Sequence, residues 1–169
     1  GDEKFIVFLG DNIIQKSIKD FAQNFDKSNS DASILLCEVS DPSRFGIADV
    51  KNNKIIKIME KPKNPPTNLA VTGIYFLTPK IFDVISRLKP SWRNEYEITD
   101  ALDMLLNENN EITYNTITDY WKDTGTPEDI INANEAILEN LQSYCNGINQ
   151  SKDSSGNIMI GTDSIINED

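Results

Sequence analysis

Four apolar runs of strand length, residues 5–9, 32–39, 69–77 and 112–117, set the frame within which this chain has to fold. Each is short and bounded by polar, Gly or Pro residues, so each reads as a strand. The segments between them carry another period. Ile14, Ile18, Phe21, Ala22 and Phe25 recur at helical spacing and predict one apolar helix face. Thr78 and Pro79 supply a cap and a first-turn proline for a second helix, with Ile81, Phe82 and Ile85 facing inward. A third helix opens at Glu97 or Thr99 and carries Ala101, Leu102, Leu105 and Leu106. Thr126-Pro-Glu-Asp129 starts a fourth, whose buried side is expected to hold Ile130, Ile131, Ile137, Leu138 and Leu141. Residues 45–50 and 55–59 flank an Asn-Asn tip and predict a β-hairpin. Lys61-Pro-Lys-Asn-Pro-Pro66 can be neither helix nor central strand, because proline lacks the N–H and fixes φ. Elements in this order predict the α/β class, with antiparallel pieces mixed in and no domain break before residue 143.

The 169 residues are enough for one domain with a real core. The formal net charge of −11 argues against a nucleic-acid partner, which needs a basic face. It also requires any phosphorylated ligand to be held by a local basic cluster or through a metal. With no histidine, imidazole acid–base catalysis and histidine metal sites are excluded. Cys37 and Cys145 suggest neither a zinc site nor a disulfide framework, and point to the reducing cytoplasm. No apolar stretch is long enough to span a membrane, and no signal peptide is visible. The chain goes almost directly into a strand and reads as a piece of a longer protein. Residues 143–157 are rich in Ser, Asn and Gly and read as a linker; Ile160-Gly161 followed by Ile165 reads as one rung of a β-helix or as an isolated strand.

Some residues stand where chemistry can occur. Asp11 and Asp123 each follow an apolar run and sit beside a glycine or its near neighbour. Ligands of open α/β sheets bind at the carboxyl ends of strands. Two such carboxylates can share a divalent cation such as Mg²⁺, or each can merely cap a turn. Glu60-Lys61-Pro62 ends a strand with a hydrogen-bond acceptor for sugar hydroxyls and a compact cation for phosphate; the plainer reading is a surface tripeptide. Gly46, after Arg44-Phe45, either admits a ligand to the backbone or makes a turn. Gly73 weakens its strand unless something packs against it. Tyr75 offers a hydroxyl or fills the core, and Arg93 is a cation for phosphate or a solvated side chain.

The order of these signals is more specific than any one of them. Leu9-Gly-Asp-Asn12, Asp41-Pro-Ser-Arg-Phe-Gly-Ile47, Glu60-Lys-Pro62, Asn68-Leu-Ala-Val-Thr-Gly-Ile-Tyr75, Arg93-Asn-Glu-Tyr-Glu-Ile-Thr-Asp100 and Trp121-Lys-Asp-Thr-Gly-Thr126 together resemble the sugar-1-phosphate nucleotidyltransferases, most of all the branch that acts on glucose 1-phosphate with a thymidine nucleotide. The resemblance covers roughly residues 5–142. It implies a mixed, mostly parallel, Rossmann-like sheet flanked by helices. Residues 1–142 would be the carboxyl-terminal, sugar-binding part of the domain, and 143–169 a linker and the first rung of a left-handed β-helix. It implies that Asp11 and Asp123 hold Mg²⁺ and that Glu60 binds sugar hydroxyls. Lys61 lies near the sugar phosphate, Gly46 and Val71 give backbone contacts to the sugar, and Tyr75 and Arg93 belong to the sugar-1-phosphate side. Asp11, Lys61 and Asp123 form the catalytic set. The implied reaction joins glucose 1-phosphate to a nucleoside triphosphate and releases pyrophosphate, in the cytoplasm, with a homo-oligomer left open. The family's glycine-rich triphosphate loop has no counterpart among the eight glycines here, which include no Gly-x-Gly. The chain therefore reads as inactive alone. Uridylyl or guanylyl transfer, or a non-catalytic remnant that binds sugar phosphate or serves assembly, are the alternatives. With part of the sheet missing, the first strand is expected to expose an edge or a face.

Overall fold

The computed structural model describes residues 2–139, 144–150 and 158–166. The chain forms two compact units, Gly1–Asp123 and Thr124–Asp169.

In the first unit the elements run β1 (Phe5–Phe8), β2 (Asn12–Ile14), α1 (Lys19–Lys27), β3 (Ala32–Glu38), a 3-10 turn (Pro42–Arg44), β4 (Gly46–Lys51), β5 (Lys54–Glu60), β6 (Leu69–Leu77), α2 (Lys80–Ile85), α3 (Ile98–Asn107), β7 (Ile112–Ile117) and β8 (Trp121–Asp123). The main sheet has the order β5-β4-β6-β3-β7, and β1 pairs with β6 off this path. β2 and β8 form a separate antiparallel pair. The expectation of a mostly parallel sheet is corrected. Among the described pairings of the main sheet only β3–β7 is parallel; β1–β6, β3–β6, β4–β5 and β4–β6 are antiparallel. Connection length accounts for part of this. A short turn makes the β4–β5 pair antiparallel and the parallel β3–β7 pair needs its long crossover, but β1–β6, β3–β6 and β4–β6 join strands distant in sequence, whose direction no local turn sets. The β4–β5 hairpin turns at Asn52 and Asn53, whose φ values of 50° and 58° suit a tight primed turn.

Alternate residues of the central strands feed two cores. Ile34, Leu36, Tyr75 and Leu77 pack on one face with Ile81 and Val84 of α2 and Leu102 and Leu105 of α3. Leu35, Ile74, Phe76 and Ile117 pack on the other with Phe25 of α1. Both faces of β3 and β6 are covered, which is why these runs are apolar throughout. β1 differs. Phe5 and Val7 join the first core, but Ile6 and Phe8 are 44% and 43% exposed. The uncovered face expected for it is present.

Three local expectations change. Ile14 belongs to β2, and the helix begins only at Lys19. On α2 the inward residues are Ile81 and Val84, while Phe82 and Ile85 are exposed, because the i, i+3 pair is the one that meets the sheet. Phe82 still stacks on the Phe5 ring at 5.3 Å. The Thr78 hydroxyl donates to the Asp31 carbonyl and caps no helix N–H. α3 does open at Glu97, and it protects an edge strand: the Ile58 N–H donates to Asp103 Oδ1 at 2.8 Å.

The second unit holds α4 (Pro127–Glu139), β9 (Tyr144–Cys145), β10 (Ile148–Asn149), β11 (Met159–Ile160) and β12 (Ile165–Ile166). Thr126 caps α4 by accepting from the Asp129 N–H and donating to its carboxylate. Ile130, Ile131 and Leu138 are exposed and Ile137 half-buried, so the buried side expected for this helix narrows to Asp129 and Ala133; Leu141 lies outside the described residues. β9 pairs in parallel with β11, and β10 with β12. Residues 144–145 and 148–149 thus form strands within the stretch read as linker, most of whose remainder lies outside the described residues.

Candidate active site

Asp11 lies in the turn between β1 and β2, and Asp123 ends β8. The β2–β8 register sets Asn12 opposite Asp123, so two aspartates far apart in sequence meet at one place through backbone pairing. Asn12 organises that place. Its Oδ1 accepts from the Gly73 N–H at 2.9 Å and from Trp121 Nε1 at 2.8 Å, and its Nδ2 donates to Asp11 Oδ1 at 3.0 Å. This buried amide ties the β1–β2 turn to β6 and β8. It also explains the glycine inside β6: a Cβ on Gly73 would come within 2.5 Å of Asn12 Nδ2.

The second half of the site comes from the open end of the hairpin. Gly46 of β4 faces Glu60 of β5 in the register. A Cβ on Gly46 would meet the Thr99 methyl and lie 3.2 Å from Glu60 Oε2, so glycine here clears room beside the carboxylate. Thr99, in the first turn of α3, donates its hydroxyl to Glu60 Oε2 at 2.8 Å. Arg93 Nη1 and Lys61 Nζ approach Glu60 Oε1 at 3.5 and 4.0 Å. Lys61 has φ 39°, a left-handed conformation that a non-glycine residue adopts at an energetic cost, here just after the strand end.

A cavity of about 210 Å³ is lined by Asp11, Gly46, Glu60, Lys61, Val71, Tyr75 and Asp123. Of the residues singled out in the sequence, Arg93 alone is not on its wall; it reaches the site through Glu60 and Glu97. Asn12, Arg44, Phe45, Gly73, Glu97, Thr99 and Trp121 also line it. Among these, Asn12, Glu97 and Thr99 were missed as parts of a site. No periodicity or spacing distinguishes them, because their roles are hydrogen bonds to residues distant in sequence. A larger cavity of about 740 Å³, between the hairpin turn and β7, holds none of the residues singled out for chemistry.

Three carboxylates of the cavity act on Tyr75. Burial pushes the Tyr75 phenol well above the ordinary tyrosine range, and Glu60, Asp11 and Asp123 push it further. Tyr75 therefore stays protonated at neutral pH. Burial also raises the Glu60 carboxyl; the Thr99 hydrogen bond opposes this, Glu97 adds to it, and Lys61 and Arg93 oppose it. The donor set around Asp11 and Asp123 is oxygen only. No group of three or more His, Cys, Asp or Glu able to hold a metal occurs among the described residues. Two carboxylates with room for a ligand fit a hard cation completed by water and phosphate oxygens, and do not fit a closed protein cage.

The nucleotidyl transferase family model matches residues 1–140. The chain is 46% identical over 140 residues to a low-salt glycan biosynthesis nucleotidyltransferase of Haloferax volcanii, covering 82% of this chain and 39% of that protein. It is 40% identical over 149 residues to a glucose-1-phosphate thymidylyltransferase of Streptomyces antibioticus, covering 87% and 42%. A candidate glucose-1-phosphate thymidylyltransferase from Bacillus anthracis, solved with sucrose, superposes with a TM-score of 0.74 at 41% identity, over 85% of this chain and 58% of that one. A UDP-glucose pyrophosphorylase complexed with UDP-glucose superposes with a TM-score of 0.71 at 30% identity, over 81% and 57%. The chain spans about two fifths of the length of the curated relatives it matches. Its sequence, its mixed sheet and its motif order make it a member of the nucleotidyl transferase family.

Proposed function

We propose that this chain is the sugar-phosphate side of a sugar nucleotidyltransferase that makes a nucleoside diphosphate glucose, first of all dTDP-glucose, from glucose 1-phosphate and a nucleoside triphosphate. The observation that carries the reading is the cavity shared by Asp11, Asp123, Glu60 and Lys61. At about 210 Å³ it is smaller than the roughly 300–1,000 Å³ usual for small-molecule sites, so it suits one monosaccharide and not a nucleotide as well.

In this reading a phosphate oxygen of the sugar attacks the α-phosphorus, the bond to the β-phosphate breaks, and pyrophosphate leaves. Such transfer is mainly positioning and charge neutralisation, which agrees with a chain without histidine. Glu60 accepts hydrogen bonds from sugar hydroxyls, and Gly46 and Val71 offer backbone groups to the same sugar. Lys61 and Arg93 face its phosphate, and protonated Tyr75 separates the sugar side from the aspartates. Asp11 and Asp123 would hold Mg²⁺, which when bound neutralises phosphate charge. Triphosphate binding belongs to a glycine-rich segment outside these residues, and a cytoplasmic place follows from the substrates. The parallel pairs β9–β11 and β10–β12 support reading the last residues as the start of a left-handed β-helix.

Two measurements test this. Glucose 1-phosphate should bind the purified chain saturably, and Lys61→Ala should weaken that binding more than Glu60→Gln. Absence of binding would refute the sugar-phosphate reading. In a pyrophosphate-release assay with Mg²⁺, glucose 1-phosphate and each nucleoside triphosphate, the chain alone should be inactive. Turnover within about a hundredfold of a full-length relative would show that it needs no further segment.

A further inference from the structure

Arg93 is held by three carboxylates of unequal burial. Nη1 lies 3.1 Å from Glu97 Oε1 and 3.5 Å from Glu60 Oε1, while Nη2 lies 2.9 Å from Glu95 Oε2. The side chains of Glu97 and Glu60 are 11% and 13% exposed, and that of Glu95 is 56% exposed. The loop is built to keep this arrangement. Ser91 Oγ donates to Glu97 Oε1 and accepts from the Arg93 N–H, and the Ser91 N–H donates to the Glu95 carbonyl. Asn94, with φ 61°, turns the chain between Arg93 and Glu95. Glu60 and Glu97 line the cavity and Arg93 does not. An anion that reaches the guanidinium from the cavity meets a group already paired with three carboxylates, of which Glu95 is the one on Nη2.

Resting on the reading of Arg93 as a cation for the sugar phosphate, we infer that Glu97 is a positioning residue for Arg93 and that Glu95 is a competitor which the incoming phosphate displaces. Burial decides which carboxylate yields. Taking the guanidinium from Glu97 or Glu60 removes a cation from a nearly buried carboxylate, which is costly. Glu95 can swing into water at little cost, because exposed ion pairs contribute little. Glu97 stays fixed by Ser91 and keeps the guanidinium beside Glu60 while Nη2 changes partner. The two carboxylates on one guanidinium thus act with opposite sign: one aids phosphate binding and the other opposes it.

The test is calorimetric titration of the 169-residue protein with glucose 1-phosphate and, separately, inorganic phosphate. Glu95→Gln should tighten both by about two- to fivefold, and added salt should shrink that gain. Glu97→Gln should weaken both by about tenfold, as for loss of a charge-assisted contact in a shielded site. If Glu97→Gln does not fold, Ser91→Ala replaces it; it frees the same carboxylate and should weaken binding in the same direction. Glu95→Gln and Glu97→Gln shifting affinity the same way, or Glu95→Gln leaving it unchanged, overturns the inference. No measurable binding of either probe by the wild type and by Glu95→Gln overturns it too. Arg93→Lys that leaves glucose 1-phosphate affinity unchanged instead sinks the assignment of Arg93 on which it rests. Tightening of inorganic phosphate alone supports the exchange at Arg93 and counts against the sugar.

Discussion

The two sides of the cavity are held in place by different physics. On the aspartate side, Asp11 and Asp123 are brought together by the β2–β8 register and by one buried amide, Asn12, whose three hydrogen bonds join three elements. On the opposite side, Glu60 also has a place in a register, facing Gly46, but its carboxylate is held by side chains: the Thr99 hydroxyl, the Lys61 ammonium and the Arg93 guanidinium, which Glu97 also binds. A position fixed by backbone pairing is rigid, and any change is felt by the fold. A position fixed by ion pairs and one hydroxyl can be tuned, and its state depends on pH. The first side suits a metal that needs fixed oxygens, the second a substrate that arrives and leaves.

The largest effect should come from Asn12→Ala. Gly73 N–H and Trp121 Nε1 would lose their acceptor in a buried place, at about 1–3 kcal/mol each. Urea unfolding should show a loss of about 3 kcal/mol or more; a loss below about 1 kcal/mol would mean that Asn12 does not hold the aspartate side together. Next is Gly73→Ala, whose Cβ would come 2.5 Å from Asn12 Nδ2 and 2.9 Å from Leu9 Cδ1. Overpacking of this kind costs about 1–3 kcal/mol. The same denaturation experiment should rank it below Asn12→Ala.

Thr99→Val probes the tunable side and should cost about 1 kcal/mol, with a dependence on pH. The Glu60 carboxyl is already raised, by burial foremost, and the Thr99 hydrogen bond holds it down. Its contribution to stability is therefore full below the unfolded-state value and is lost as pH rises through the folded one. Removing the hydroxyl raises the folded value further. The cost of Thr99→Val should thus be small in acid and grow towards neutrality, and carboxyl NMR titration should show the Glu60 midpoint moving up. A midpoint that moves down would break the comparison.

The smallest effect is a contrast outside the cavity. Burial would raise the Asp31 carboxyl, but Lys80 at 2.7 Å and the Glu111 N–H lower it overall. Its contribution has the opposite sign: present above the unfolded-state value and lost as pH falls through the folded one. Asp31→Asn should cost about 0.5–1 kcal/mol at neutral pH and nothing in strong acid, measured by thermal unfolding across pH. Equal pH behaviour for Asp31→Asn and Thr99→Val would remove the distinction between a paired and a desolvated carboxylate.

Legibility in the sequence followed the range of the interactions. The hairpin was readable because Asn52 and Asn53 carry its turn within their own residues. The opening of α3 at Glu97 and the Thr126 cap of α4 were readable for the same reason. The inward face of α2 was misread by one residue, since a six-residue helix gives too few apolar positions to fix its phase. The open face of β1 was legible only through the resemblance, because an apolar run does not say whether a neighbour covers its second face. Asn12, Glu97 and Thr99 lie within motifs that were read, but their roles in the site were not, since each acts on a residue that its spacing does not reveal.

What the sequence determined by itself is the local grammar: strand and helix lengths, turns and caps, the α/β class, and the family through the order of its motifs. All but the motif order depend on residues within one or two turns of each other, and the motif order is itself written in the sequence. Only the tertiary structure decided that the sheet is mostly antiparallel. Only it decided that Asn12, next to Asp11, stands across β2–β8 from Asp123, that Asn12 occupies the space Gly73 leaves open, and that three carboxylates share Arg93. These depend on strand register and on which side chains are buried together. A shift of one residue in pairing reverses which face each side chain takes, and no composition or period in the chain records it.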